Sequence, residues 1–207
     1  MLTTINKMMT LNKTAQGIMT ILLKDLSTHT ATSLSEELKI SRQGTWRILK
    51  KLEKEELIML ESIGKGKTST LKIELNWDNE IIEKILTLSL TQEALKHNRW
   101  KFNFADLKEQ VDFLILYGSV LHSPKEAEDI DIIGVVSKEK KLANLGNIVL
   151  KIQETQAKKI HSINLTQKEF KQELQRPNKV YLDAVKKGVI LFGQENFIKF
   201  IKGLQKW

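Results

Sequence analysis

Apolar positions in the first third of the chain recur at helical spacing and then give way to two short strand-like runs. In residues 13–26 (KTAQGIMTILLKDL), Ile18, Ile21, Leu22 and Leu26 share a helical face. Ser33, with Glu36 three residues on, predicts a capping box opening a short helix, LSEELK. Ile40-Ser41 ends that helix and caps the next, RQGTWRILKKLEKEEL. In it Trp46, Leu49, Leu52 and Leu57 fall near one stripe, while Arg42, Arg47, Lys50, Lys51 and Lys54 lie largely outside. Ile58 to Ile63 and Ser69 to Leu75 then read as a hairpin joined by Gly64-Lys65-Gly66-Lys67.

Asn76-Trp77-Asp78-Asn79 marks a boundary. Residues 79–96 predict a long helix with Ile81, Ile82, Ile85, Leu86, Leu88 and Leu95 apolar, and a second helix is expected around Asp106 to Gln110. That apolar stripe is equally suited to packing within its own domain and to a homodimer interface. Beyond it the pattern alternates: a strand Phe113–Tyr117, a loop, a strand Asp129–Val136, a helix over Leu142–Ala157 and a strand Lys159–Leu165. The tail, NKVYLDAVKKGVILFGQENFIKFI, reads as a helix, a short strand and a final helix. The expected organisation is α/β (α+β): a head over 1–76, a helical linker over 77–110, and a domain with a mixed sheet over 111–207.

Composition narrows the chemistry. The chain has 207 residues and no cysteine, so disulfides, thiol nucleophiles and cysteine-ligated zinc are excluded. Its four histidines (His29, His97, His122, His161) do not pair at ligand spacing along the sequence. No apolar run is long enough for a membrane span and the first residues do not open a signal peptide, so a cytoplasmic protein is expected. A net charge of +8 favours a polyanionic partner such as DNA, RNA or NTP.

Three helices followed by a basic hairpin is the winged helix-turn-helix order, and SRQGTWRILKKLEKEELI resembles the recognition segment of MarR- and ArsR-like regulators. The resemblance implies double-stranded DNA as partner. It places Arg42, Gln43, Thr45 and Arg47 nearest bases or phosphates in the major groove, with Lys65 and Lys67 of the wing on backbone phosphate. The alternative is a solvated basic face on a protein-interaction module. Gly66-Lys67-Thr68 imitates the end of a phosphate-binding loop, but the leading glycine that motif needs is Glu61, and a strand follows where a helix is required.

The densest candidate chemistry lies in LYGSVLHSPKEAEDIDI. A strand ends at Gly118-Ser119, nine residues intervene, and Asp129-Ile130-Asp131-Ile132 begins the next strand. Strand alternation puts Asp129 and Asp131 on one face, about 7 Å apart along the chain, an arrangement suited to gripping Mg²⁺ against phosphate. The pattern apolar-Gly-Ser, loop, Asp-apolar-Asp-apolar resembles the signature of polymerase-β-type nucleotidyltransferases, and the tail resembles their closing segment. That resemblance implies a nucleotidyltransferase fold, with Asp129 and Asp131 as metal-binding catalytic residues, Gly118 and Ser119 holding phosphates, Mg²⁺ as cofactor and an NTP as substrate or ligand. The family's third carboxylate is missing from Lys159–Leu165, where Ser162 or Asn164, or His161 on the other face, takes its place. Two readings stay open: a DNA-binding regulator whose nucleotide-binding domain transfers weakly or not at all, and an active nucleotidyltransferase of toxin–antitoxin type acting on a protein or RNA acceptor.

Overall fold

The computed structural model describes residues 12–63, 70–176 and 178–205, and the chain divides into two compact units, Met1–Leu86 and Thr87–Trp207. The turn Gly64-Lys65-Gly66-Lys67, and with it Lys65 and Lys67, lies outside the described residues. None of the described helices is long and apolar enough to cross a membrane.

The first unit opens with α1 (Lys13–Lys24), whose N-cap Asn12 accepts from the Ala15 amide. Then come α2 (Ala31–Leu38) and α3 (Arg42–Lys54). The cap of α2 corrects the sequence expectation. Thr30, rather than Ser33, is the N-cap, and Ser33 is the third helical residue that completes the capping box. Ser33 substitutes for the usual Glu because its hydroxyl also reaches the backbone amide of Thr30, at 2.9 Å. Between α2 and α3 the chain turns in three residues. Lys39 takes a left-handed conformation (φ 54°), Ile40 N–H donates to Ser35 O, and Ser41 caps α3 by accepting from Gly44 N–H.

Strands β1 (Ile58–Ile63) and β2 (Thr70–Leu75) pair antiparallel from Ile58↔Leu75 to Ile63↔Thr70, and Ile73 N–H donates to His29 O ahead of α2. That bridge ties the hairpin to the helices. Ile18, Leu22, Leu23, Leu34, Leu49, Leu52, Ile73 and Leu75 form the buried core. Each buried leucine or isoleucine contributes about 1.5–3 kcal/mol relative to exposure.

Helix α4 (Ile82–Leu95) buries Ile82, Leu86 and Leu90, while Ile81, Leu88 and Leu95 of its sequence stripe are exposed. The helix expected at Asp106–Gln110 is only a 3₁₀ turn, Ala105–Leu107, preceded by an unforeseen α5 (Asn98–Asn103). The second unit is a four-stranded mixed sheet in the order β5-β4-β3-β6: β3 (Phe113–Tyr117), β4 (Asp129–Val136), β5 (Lys159–Thr166) and β6 (Val189–Phe192). Strand β3 runs antiparallel to β4 and β6, and β4 runs parallel to β5 across the connecting α6 (Lys140–Gln153).

Alternation along these strands makes two different faces. One carries Leu114, Leu116, Ile130, Ile132 and Val136 in a cluster with Trp100, Phe104, Leu107 and the α6 residues Leu145, Val149 and Ile152. The other carries Phe113, which packs against Phe170 of α7 (Gln167–Gln175) and against Phe197 and Phe200 of α9 (Gln194–Gln205). Helix α8 (Lys179–Lys187) adds Tyr181 edge-on to Phe170. Asp129 and Asp131 belong to this second face, at the end of β4 where the packed aromatics stop.

Candidate functional site

On α3 the side chains sort into a buried and an exposed row. Thr45, Leu49 and Leu52 are fully buried, whereas Arg42, Gln43, Trp46, Arg47 and Lys50 are exposed. This corrects two expectations. Thr45 is turned inward, away from any DNA, and Trp46 belongs to the outer face rather than to the core stripe. The reason is local: the Thr45 hydroxyl donates to Ser41 O at 3.2 Å, so a polar residue is satisfied inside the first turn. With position 45 buried, the following residue is swung outward by about 100° of helix rotation. Lys50 lies 5.0 Å from the Trp46 ring and pairs with Glu53 at 2.8 Å. In helix-turn-helix proteins the helix in this position, after the short turn, is the one laid in the major groove.

Residues 11–59 match the family model described as winged helix-turn-helix DNA-binding. The N-terminal unit thus carries a winged helix-turn-helix, in which α3 is the helix that follows the turn. No curated protein and no solved structure matches the chain.

The second site is built by two strands and one turn. Strand β3 ends at Tyr117, which pairs with Asp131, and Gly118 follows with φ 83° and ψ −164°. Gly118 packs so tightly on the Asp131 carboxylate that a Cβ there would collide with Oδ2. Ser119 is exposed and opens a 3₁₀ turn, Ser119–Leu121, where its carbonyl accepts from the His122 and Ser123 amides. Just before β4, the Lys158 ammonium donates to the carbonyls of Ala127 and Lys125, which pins the loop at the point where Asp129 begins.

The parallel register pairs Asp129 with Lys159 and Asp131 with His161, and residues in register face the same way. His161 Nδ1 lies 3.2 Å from Asp129 Oδ2 and 3.5 Å from Asp131 Oδ1. His161 therefore faces the carboxylate pair. Ser162 and Asn164 face the α6 side, where the Ser162 hydroxyl donates to Asn164 Oδ1. Of the three residues expected as candidates for the place of a third carboxylate, the register puts His161, rather than Ser162 or Asn164, on the face of the Asp129–Asp131 pair. Glu128 and His122 are both exposed outside this cluster.

Electrostatics follow from the packing. Burial first, and then the Asp129 charge, push the Asp131 carboxyl above its ordinary range, against a smaller opposing pull from His161. The Tyr117 hydroxyl is pushed up to about 12, chiefly by burial and then by Asp131, so it stays a neutral hydrogen-bond donor beside the pair. Two neighbouring carboxylates, one of them proton-hungry, are suited to a dication. The donor set only partly fits Mg²⁺, however. The two carboxylates supply oxygen, but the third group facing them is an imidazole nitrogen, which Mg²⁺ seldom takes. Sequence inspection missed Lys159 and Tyr117 and offered His161 only on the opposite face. Strand pairing, which no single strand reveals, places Lys159 and His161 through the parallel β4–β5 register and Tyr117 through the antiparallel β3–β4 register.

Proposed function

We propose that the chain is a DNA-binding transcriptional regulator whose C-terminal unit binds a nucleoside triphosphate together with a divalent cation. The winged helix-turn-helix, with Arg42, Gln43, Trp46 and Arg47 exposed on α3, supports the DNA-binding half. The nucleotide half rests on one observation: Asp129 and Asp131 share a sheet face with Gly118 packed against the carboxylate. The glycine lets the turn backbone close on the carboxylate, so that turn amides and the exposed Ser119 would meet a phosphate chain held beside the pair. A bound dication would neutralise phosphate charge there, with Asp129 and Asp131 as its holders. Lys159, in register with Asp129, adds a cation on the same face. With an imidazole in place of a third carboxylate, nucleotide binding rather than rapid transfer is the activity this site supports.

The test is equilibrium binding of each labelled NTP with Mg²⁺ to the native chain and to Asp129→Ala/Asp131→Ala, with duplex DNA binding measured on the same samples. The native chain should bind nucleotide only with the dication, and the double variant should lose nucleotide while keeping DNA. Nucleotide binding that survives the double substitution would overturn the assignment of this site.

A further inference from the structure

We propose that Asp129, Asp131 and His161 form a mixed carboxylate–imidazole site that selects a first-row transition dication over Mg²⁺. The proposal rests on the metal-binding part of the function proposed above and goes beyond it by naming the ion class and the residue that chooses it. One ligand atom from each of the three residues can be chosen so that all lie within 4.8 Å of one another. Metal–ligand bonds of about 2.1 Å put adjacent donors about 3.0 Å apart in an octahedron and about 3.4 Å apart in a tetrahedron. The observed separations of His161 Nδ1 from the two carboxylates, 3.2 and 3.5 Å, lie close to those edges.

The scaffold is rigid as well. Two ligands come from β4 and one from β5, and the two strands pair continuously from Asp129↔Lys159 to Val136↔Thr166. The site is also open: the side chains of Asp129, Asp131 and His161 are 34%, 24% and 45% exposed, so phosphate or water oxygens can complete the coordination shell. Selectivity follows from ligand chemistry. Mg²⁺ needs oxygen donors and gains little from imidazole, whereas the affinity of nitrogen-containing sites rises along the first transition series from Mn²⁺. Mn²⁺ is the weakest binder of that series, which makes it the most demanding probe, and it is paramagnetic.

The experiment uses the full chain without nucleotide. Mn²⁺ is titrated and followed by electron paramagnetic resonance, imidazole nitrogen coupling is read by the pulsed form of the method, and Mg²⁺ is added as competitor. His161→Ala and His161→Asp are compared with the native chain, with circular dichroism reporting the fold. The expected result is one equivalent of Mn²⁺ with a nitrogen coupling that His161→Ala abolishes. That variant should bind Mn²⁺ at least about tenfold more weakly. His161→Asp should narrow the preference for Mn²⁺ over Mg²⁺ by a similar factor. A nitrogen signal that survives His161→Ala would place the ion elsewhere and overturn the proposal. So would the absence of stoichiometric Mn²⁺ binding, or equal loss of Mn²⁺ and Mg²⁺ affinity in His161→Ala. If these fail while NTP with Mg²⁺ still binds in an Asp129- and Asp131-dependent way, the nucleotide reading stands and only the role of His161 falls.

Discussion

Replacing Gly118 by alanine should damage the C-terminal unit in a way that the same replacement at Gly146 does not. At φ 83° and ψ −164°, Gly118 occupies a region that is essentially closed to residues with a Cβ. Forcing alanine there costs about 1–3 kcal/mol. The added methyl also collides with Asp131 Oδ2, with Cγ only 3.3 Å away. Because the Asp131 side chain is partly exposed, its carboxylate can rotate away, so the backbone term dominates the stability loss. Rotation has its own consequence, since it breaks the geometry that Asp131 shares with Asp129 and His161. Gly146, by contrast, lies inside α6, and a Cβ there meets nothing within 4 Å. Alanine at 146 should stabilise by about 0.5–1 kcal/mol, because glycine is a poor helix former. Urea denaturation of both variants, analysed at constant slope, measures the two signs. Metal and nucleotide titrations should show loss of affinity for Gly118→Ala and native affinity for Gly146→Ala. A Gly118→Ala chain that is as stable as the native one and binds nucleotide normally would refute the reasoning.

Two further outcomes follow from buried and exposed neighbours. Since burial and Asp129 raise the Asp131 carboxyl, the folded chain holds that proton more tightly than the unfolded chain does. Its contribution to stability is therefore lost as pH rises from the ordinary carboxylate value through the raised one. Asp131→Asn should flatten that part of a melting-temperature profile against pH; a steeper profile would contradict the sign. On α3, Trp46→Ala should weaken duplex binding with little change in stability, whereas Thr45→Ala should cost about 1 kcal/mol of stability by removing the hydrogen bond to Ser41 O. Equal effects of both on DNA affinity would show that the two rows of the helix have been misassigned.

Much of the architecture was legible from local patterns. Ser41 caps α3 as its position before an apolar-periodic run implies, and the strands around Gly118 and Asp129 are where apolar runs and turn residues place them. Their alternation also put Asp129 and Asp131 on one face. What escaped depends on groups far apart in sequence or on polar residues with hidden partners. Thr45 reads as a surface residue until its hydroxyl is seen to bond one turn back. His161 reads as facing away until the register between β4 and β5 is known, and a shift of one residue reverses every side chain. Helix α5 buries Trp100 but leaves Phe102, two residues on, exposed, so its apolar residues show no helical period.

The most direct test of the account is the salt dependence of duplex binding by the native chain and by an Arg42→Ala/Arg47→Ala variant. Each phosphate neutralised by a side-chain cation adds about 0.9 to the slope of log affinity against log salt. The native chain should bind duplex with a steep negative slope, and the variant should bind more weakly with a slope shallower by up to about two units. Duplex affinity that ignores salt, or that is unchanged when both arginines are removed, would contradict the assignment of α3 as a DNA-reading helix.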